Sequence, residues 1–172
     1  MIELPLYNRF GIAGFSLIDD DDEDLLLPYR WNLNHNGYAS TDIAHPEGGR
    51  YVSGRKRRTS LLMHRLVMRL ERGDLREPDH IDRNRINNQK ANLRVGTRAD
   101  NMQNVTARQG ASSLYRGVYW SEQKGKWCAQ VRLDRHSNFL GAYNTPEEAA
   151  EVASRWRADN MPYSEDARME RR

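Results

Sequence analysis

The chain has 172 residues, 38% hydrophobic and 30% charged, with 27 Lys plus Arg against 24 Asp plus Glu for a net charge of +3. A core this thin for the length points to two small units rather than one thick domain, while eight Tyr, four Trp and three Phe exclude a wholly disordered chain. With no apolar run near the roughly 18 residues of a membrane span and no secretory pattern in MIELPLYNRF, a soluble cytoplasmic protein is expected, and the single Cys128 excludes an internal disulfide or a Cys-pair zinc site.

The charge is unevenly placed along the chain. Residues 1–54 hold three basic and nine acidic groups (net −6), residues 55–110 hold 14 and six (+8), and residues 111–172 hold 10 and nine (+1). A basic middle segment faces a polyanion.

In chain order, Ile2 to Leu6 and Gly14 to Ile18 read as strands separated by Asn8 and Gly11. The acidic run Asp19 to Asp24 reads as the solvated start of a short helix, its carboxylates accepting backbone N–H bonds; a metal cluster is the other reading, but a calcium loop's spacing and glycine are missing. Trp31 to Ala39, with Asn36-Gly37 inside it, is a strand and turn, and residues 44–58 are a Gly-rich loop ending in a basic cluster. Met63, Leu66, Val67 and Leu70 share one helical stripe, so a helix is predicted over Leu61 to Arg72, ended by Gly73 and carrying Arg65, Arg69 and Arg72 on its other face. A polar stretch opens at Pro78, Leu93 to Val95 is a short strand, and Thr97 is placed as the N-cap of a helix running to about Arg108. The domain junction falls at Gln109 to Ser113.

Beyond it the pattern changes to period two. Trp127, Ala129, Val131 and Leu133 form one face of a half-buried strand, with Lys126, Cys128, Gln130 and Arg132 on the other. Tyr115 to Trp120 and Asn138 to Tyr143 complete a three-stranded antiparallel meander. Thr145, Pro146 and Glu148 supply an N-cap, an N1 proline and a capping-box Glu to a helix whose Ala149, Val152, Ala153 and Trp156 should pack on the Trp127 face.

The segment from Asp79 to Asn104 carries the chemistry. An acid and a His side by side, an Asn 12 residues after that His and another nine further on lie across a strand, a loop, a second strand and a helix. Such an arrangement can aim Asp79, His80 and Asn101 at one pocket, where oxygen ligands suit magnesium or manganese and the imidazole suits a general base. Against this, a lone Asp-His pair is usually an exposed loop pair and Asn-rich loops are usually turns; the joint spacing favours the active-site reading.

These residues resemble the HNH endonuclease family, in particular the phage and intron-encoded homing type. The resemblance rests on Asp79-His80, Asn84 to Asn88, Asn92 to Thr97 and Asn101 to Asn104, with Met63 to Met68 and Asp19 to Tyr38 upstream. It implies a ββα-metal (His-Me finger) core in an α+β chain, acting on double-stranded DNA with one divalent ion, magnesium or manganese. By position His80 is the general base, Asp79 and Asn101 are the metal ligands, and Asn92 pins the loop. Asn101 stands where the family name has its second His, which favours a magnesium-type site over tight transition-metal binding. Arg83, Arg85, Arg94 and Arg98 are expected on phosphates. His64 reads as a packed or phosphate-contacting side chain, and His35, His45 and His136 have no nameable partner.

Tyr115-Arg116-Gly117-Val118, Gly125-Lys126-Trp127, Leu140-Gly141 and Glu147 to Ala150 resemble an Apetala2-type DNA-binding domain, a three-stranded antiparallel sheet packed on one helix. The resemblance implies that Arg116, Tyr119, Lys126, Arg132 and Phe139 face DNA, although Tyr119 and Phe139 depart from the plant pattern of Arg and Trp and its base preference does not transfer. The division is then 1–54 as an acidic, strand-bearing part of the nuclease module, 55–110 as the nuclease core, 111–162 as the DNA-binding domain and 163–172 as a charged tail. The functional expectation is a metal-dependent DNA endonuclease with no membrane or protein partner. The alternatives are a non-catalytic DNA-binding regulator or inactive relic and, more weakly, an RNA-binding protein.

Overall fold

The computed structural model describes residues 1–51, 53–105, 112–164 and 166. The chain is α+β and divides into two compact units, Met1–Thr97 and Arg98–Arg172. This division lies ahead of the junction read at Gln109 to Ser113, of which 109–111 fall outside the described residues, as do Arg108 and most of the tail.

In the first unit a five-stranded sheet runs in the order β2-β1-β3-β4-β5. Strands β1 (Ile2–Asn8) and β2 (Gly11–Ile18) form a hairpin that turns at Asn8 to Gly11, and alternation sends Leu4 and Leu6 into the core. A 3-10 turn (Asp20–Asp22) leads into α1 (Glu23–Leu26), but Asp19 makes no capping bond there; its carboxylate is used elsewhere. Trp31 closes the core from below α1, its indole N–H donating to the Leu26 carbonyl at 2.9 Å. Strands β3 (Asn32–Leu33) and β4 (Ala39–Ala44) follow, joined through Asn36-Gly37, and β5 (Arg58–Leu62) pairs antiparallel with β4.

The helix expected over Leu61 to Arg72 is much shorter: α2 spans Met63–Val67. Leu61 and Leu62 are taken by the sheet, opposite Thr41 and Ser40. At the other end Arg69 adopts φ 54°, and Leu70 N–H bonds to Arg65 O while Arg69 N–H bonds to Leu66 O. That is a Schellman stop, with an arginine in the position that usually holds glycine. Arg65 then leaves the helix face it was assigned to, its guanidinium holding the carbonyls of Glu71, Asp74 and Arg76. A two-stranded hairpin of β6 (Glu77–His80) and β7 (Leu93–Gly96) completes the unit, and Leu93 joins Met63, Val67 and Trp31 in the core.

The second unit opens with α3 (Arg98–Asn101) and contains the sheet β10-β9-β8, formed by β8 (Val118–Ser121), β9 (Lys126–Leu133) and β10 (His136–Tyr143). Strand β8 starts three residues later than Tyr115. Gly117 bends the chain at φ 81°, where an added Cβ would sit 2.7 Å from the Gln130 carbonyl, so only glycine fits. Helix α4 (Pro146–Asn160) carries the full capping box at Thr145 and Glu148, and its Ala149 and Ala153 pack with Val118, Ala129, Val131, Trp127 and Trp156. Cys128 departs from its assignment to the solvated face: it is fully buried, cross-strand from both Tyr119 and Ala142.

Candidate active site

His80 ends β6 and is only 3% exposed. Its Nε2 lies 3.2 Å from Asn88 Oδ1, Asn88 Nδ2 donates to Ser16 Oγ at 2.8 Å, and Ser16 Oγ donates to the Ile86 carbonyl at 2.9 Å. Read backwards, this chain fixes the proton on the imidazole. The Ile86 carbonyl only accepts, so the Ser16 hydroxyl spends its hydrogen there and must accept from Asn88. The amide nitrogen of Asn88 therefore faces Ser16 and its oxygen faces His80, so Nε2 carries the hydrogen and Nδ1 keeps the lone pair. Burial lowers the His80 pKa from its ordinary value against the raising pull of Asn88, Asp82 and Asp79, which holds the ring in its basic, neutral form near pH 7.

The ring is boxed in by two further aromatic groups. His64 lies edge-on with centroids 5.2 Å apart, and Tyr38 lies at 5.9 Å. His64 is packed, as one of its two readings had it; burial, then His80 and Arg65, push its pKa down to about 3.

Asp79 occupies the preceding strand position, so it turns to the opposite face from His80, where Arg94 on the partner strand binds its Oδ2 through Nε at 3.1 Å and Nη2 at 2.7 Å. The loop between the strands is folded on Asn92. Its Oδ1 accepts from Asp82 N–H at 3.1 Å, while Nδ2 donates to Asp82 Oδ1 at 2.9 Å and to the Asn87 carbonyl at 2.8 Å. For Asp82 itself, burial pushes the carboxyl pKa up, but hydrogen bonds from Asn87, Asn84 and Asn92 outweigh it and leave the pKa below the ordinary value.

Support from a distance comes from residues that local spacing did not reveal. Leu17 N–H donates to Ile86 O and Asn88 N–H to Leu17 O, stitching the loop to β2. Asp19 accepts from Lys90 N–H at 2.8 Å and Gln89 Nε2 at 3.2 Å, and the buried Asp22 pairs with Lys90 Nζ at 2.8 Å. The acidic run thus grips the loop that carries Asn92. Their separation in sequence hid these partners.

Of the expected phosphate contacts, Arg83 sits exposed in the turn after β6 with φ 64°; Arg85 donates to Asn36 O at 2.6 Å and covers the Tyr38 ring; and Arg94 is paired with Asp79. Arg98 and Asn101 lie on α3, in the second unit. There, Tyr119, Lys126, Arg132 and Phe139 share the sheet face away from α4, with Lys124 over the Phe139 ring at 4.2 Å. Arg116 precedes the sheet and donates to Gln103 O at 2.5 Å. Among the described residues no group of three or more His, Cys, Asp or Glu side chains could hold a metal ion, and no helix is long and apolar enough to cross a membrane.

Comparison with curated proteins and with solved structures gives no match. Residues 61–103, a minority of the chain, match the family model described as HNH endonuclease, and they hold Asp79, His80, Asn92 and Asn101. Residues 61–103 are thus similar to an HNH endonuclease domain, which supports nuclease activity, the hydrolysis of phosphodiester bonds in DNA.

Proposed function

We propose that the chain is a metal-dependent DNA endonuclease of the homing type, with His80 as general base and the Apetala2-like sheet holding the target duplex. The observation that carries this reading is the His80 tautomer: a buried, neutral imidazole with its lone pair on Nδ1. Water attacking phosphorus gives its proton to Nδ1 as the new P–O bond forms and the opposite P–O bond breaks, the leaving oxygen taking a proton from solvent. Asp79 is a hard oxygen donor of the kind magnesium or manganese takes and already hosts a cation here in the Arg94 guanidinium; Asn101 is the other ligand by the family resemblance alone. When bound, the ion would offset charge on the phosphate as the bond breaks. Asn92 keeps the loop in register, and Arg83, Arg85 and Arg98 offer positive charge to the DNA backbone without reading bases.

A non-catalytic DNA-binding regulator or relic is the second reading, and the depth of His80 together with the Arg94–Asp79 pair favours it. Supercoiled plasmid incubated with magnesium or manganese separates the two. Nicking or cutting by the wild type, reduced about 100-fold to 10,000-fold in His80→Ala and strongly in Asp79→Ala, is expected. Duplex binding without cleavage in either metal would leave the regulator.

A further inference from the structure

Away from His80, at the far end of β4, three nitrogen-bearing side chains meet, with the Glu47 carboxylate at their edge. His45 follows the strand and is 8% exposed. Its Nε2 faces Arg72 Nη2 at 2.8 Å and Arg57 Nη2 at 3.5 Å. A guanidinium has hydrogens to give and no lone pair to offer, so Nε2 must be the acceptor and the ring proton sits on Nδ1. That Nδ1 is buried and has no hydrogen-bond partner among the described residues, the Glu47 carboxylate standing 4.0 Å off. Burial, then Arg57 and Arg72, lower the His45 pKa, which keeps the ring a neutral acceptor for both guanidinium groups.

One imidazole lone pair cannot satisfy two guanidinium groups. Among the described residues neither Arg57 nor Arg72 has a carboxylate within ion-pair distance, the Glu47 carboxylate standing on the Nδ1 side of His45, so two like charges are drawn together by a neutral buried anchor without an ion pair of their own. Backbone bonds hold the arrangement: Arg57 N–H donates to Gly49 O and His45 N–H to Arg57 O. Such a pair suits the forked geometry of a phosphate oxygen acceptor.

Resting on the endonuclease reading, we infer that His45, Arg57 and Arg72 form a second DNA contact, a subsite for one backbone phosphodiester remote from the cleavage centre. Strand β4 lies between Tyr38, beside His80, and His45, and the seven residue steps from one to the other cover roughly 23 Å. At about 3.4 Å of duplex per nucleotide step, a duplex lying along β4 would have this phosphate roughly seven base pairs from the scissile one. The contact is blind to sequence, so it fixes where the duplex lies rather than which duplex is chosen.

The test uses the full chain in two arms. In the first, inorganic phosphate is titrated while the His45 ring resonances, identified with His45→Gln, are followed by NMR; a saturable shift is expected, lost in Arg57→Gln/Arg72→Gln. In the second, duplex affinity is measured against salt. The double Gln variant should lower the magnitude of the log–log slope by about one, the loss of one phosphate contact, and Arg57→Lys/Arg72→Lys should restore it. Arg9→Gln, in the β1–β2 turn, serves as a control for general charge loss and should leave the slope unchanged. Equal thermal midpoints for the Gln and Lys doubles separate the effect from misfolding. A wild-type slope in the Gln double overturns the subsite while leaving cleavage, and so the endonuclease reading, intact. If the wild type binds no duplex, the endonuclease reading falls and the phosphate titration alone decides the site, a shift upholding it and no shift overturning it.

Discussion

The side chain of Asn88 does for His80 what no neighbour in sequence does: it decides which ring nitrogen holds the proton. Asn88→Ala removes that control and takes one buried hydrogen bond each from His80 Nε2 and Ser16 Oγ. Stability should fall by about 1–3 kcal/mol in urea unfolding, with cleavage falling well beyond what that loss explains when assayed under conditions where the variant is folded. Cleavage equal to wild type would remove the tautomer from the mechanism. His64 makes a different statement. Its pKa is about 3 in the folded chain against 6.5 for the free side chain. Above pH 6.5 neither state binds the proton; between 6.5 and about 3 the unfolded chain binds it and the folded one does not. Folding stability is therefore lost as pH falls through that window, by about 1.4 kcal/mol per pH unit from this group, and His64→Gln should flatten that part of the pH–stability curve.

At the scale of elements, local chemistry was legible and remote pairing was not. Thr145-Pro146-Glu147-Glu148 announced α4 because a capping box is written within four residues, and the period-two run at Trp127 to Leu133 announced β9 for the same reason. Leu61 and Leu62 fit a helical stripe and a strand equally well; only β4, twenty residues earlier, settles them into the sheet. The Asp-His pair of the candidate site was visible from spacing, whereas Ser16, Asn88 and the Asp19–Lys90 contact depend on β2 lying against the loop. The same limit explains the acidic run, which looked like a helix cap and is a clamp. Lys90→Met would leave Asp22 charged and buried without its partner. A loss of about 3 kcal/mol is expected, the low end for a broken buried pair because Lys90 is partly solvated, with much of it recovered in the Asp22→Asn/Lys90→Met double variant. Additive losses in that cycle would show that the two residues act apart.

For the whole molecule, the net charge of +3 conceals a division of labour within each unit. In the first, Asp19 and Asp22 hold the loop at Lys90 while Arg83 and Arg85 lie exposed; in the second, the face of the sheet turned from α4 carries Tyr119, Lys126, Arg132 and Phe139. If that face holds the duplex and takes no part in the chemical step, Arg132→Ala and Phe139→Ala should raise KM for a DNA substrate and leave kcat near wild type. A fall in kcat with unchanged KM would assign the face to catalysis instead.

The backbone bonds between Leu17 and the stretch Ile86 to Asn88 set a limit on inheritance. The recognisable HNH stretch begins at residue 61, yet Ser16, Leu17 and Asp19 all lie before it. A recombination event that carried only the recognisable stretch into a new protein would deliver the Asp79-His80 pair with its proton unassigned and its loop untethered. The unit that holds this HNH-like site is thus larger than the matched stretch, and shuffling can move it intact only together with the β1–β2 hairpin.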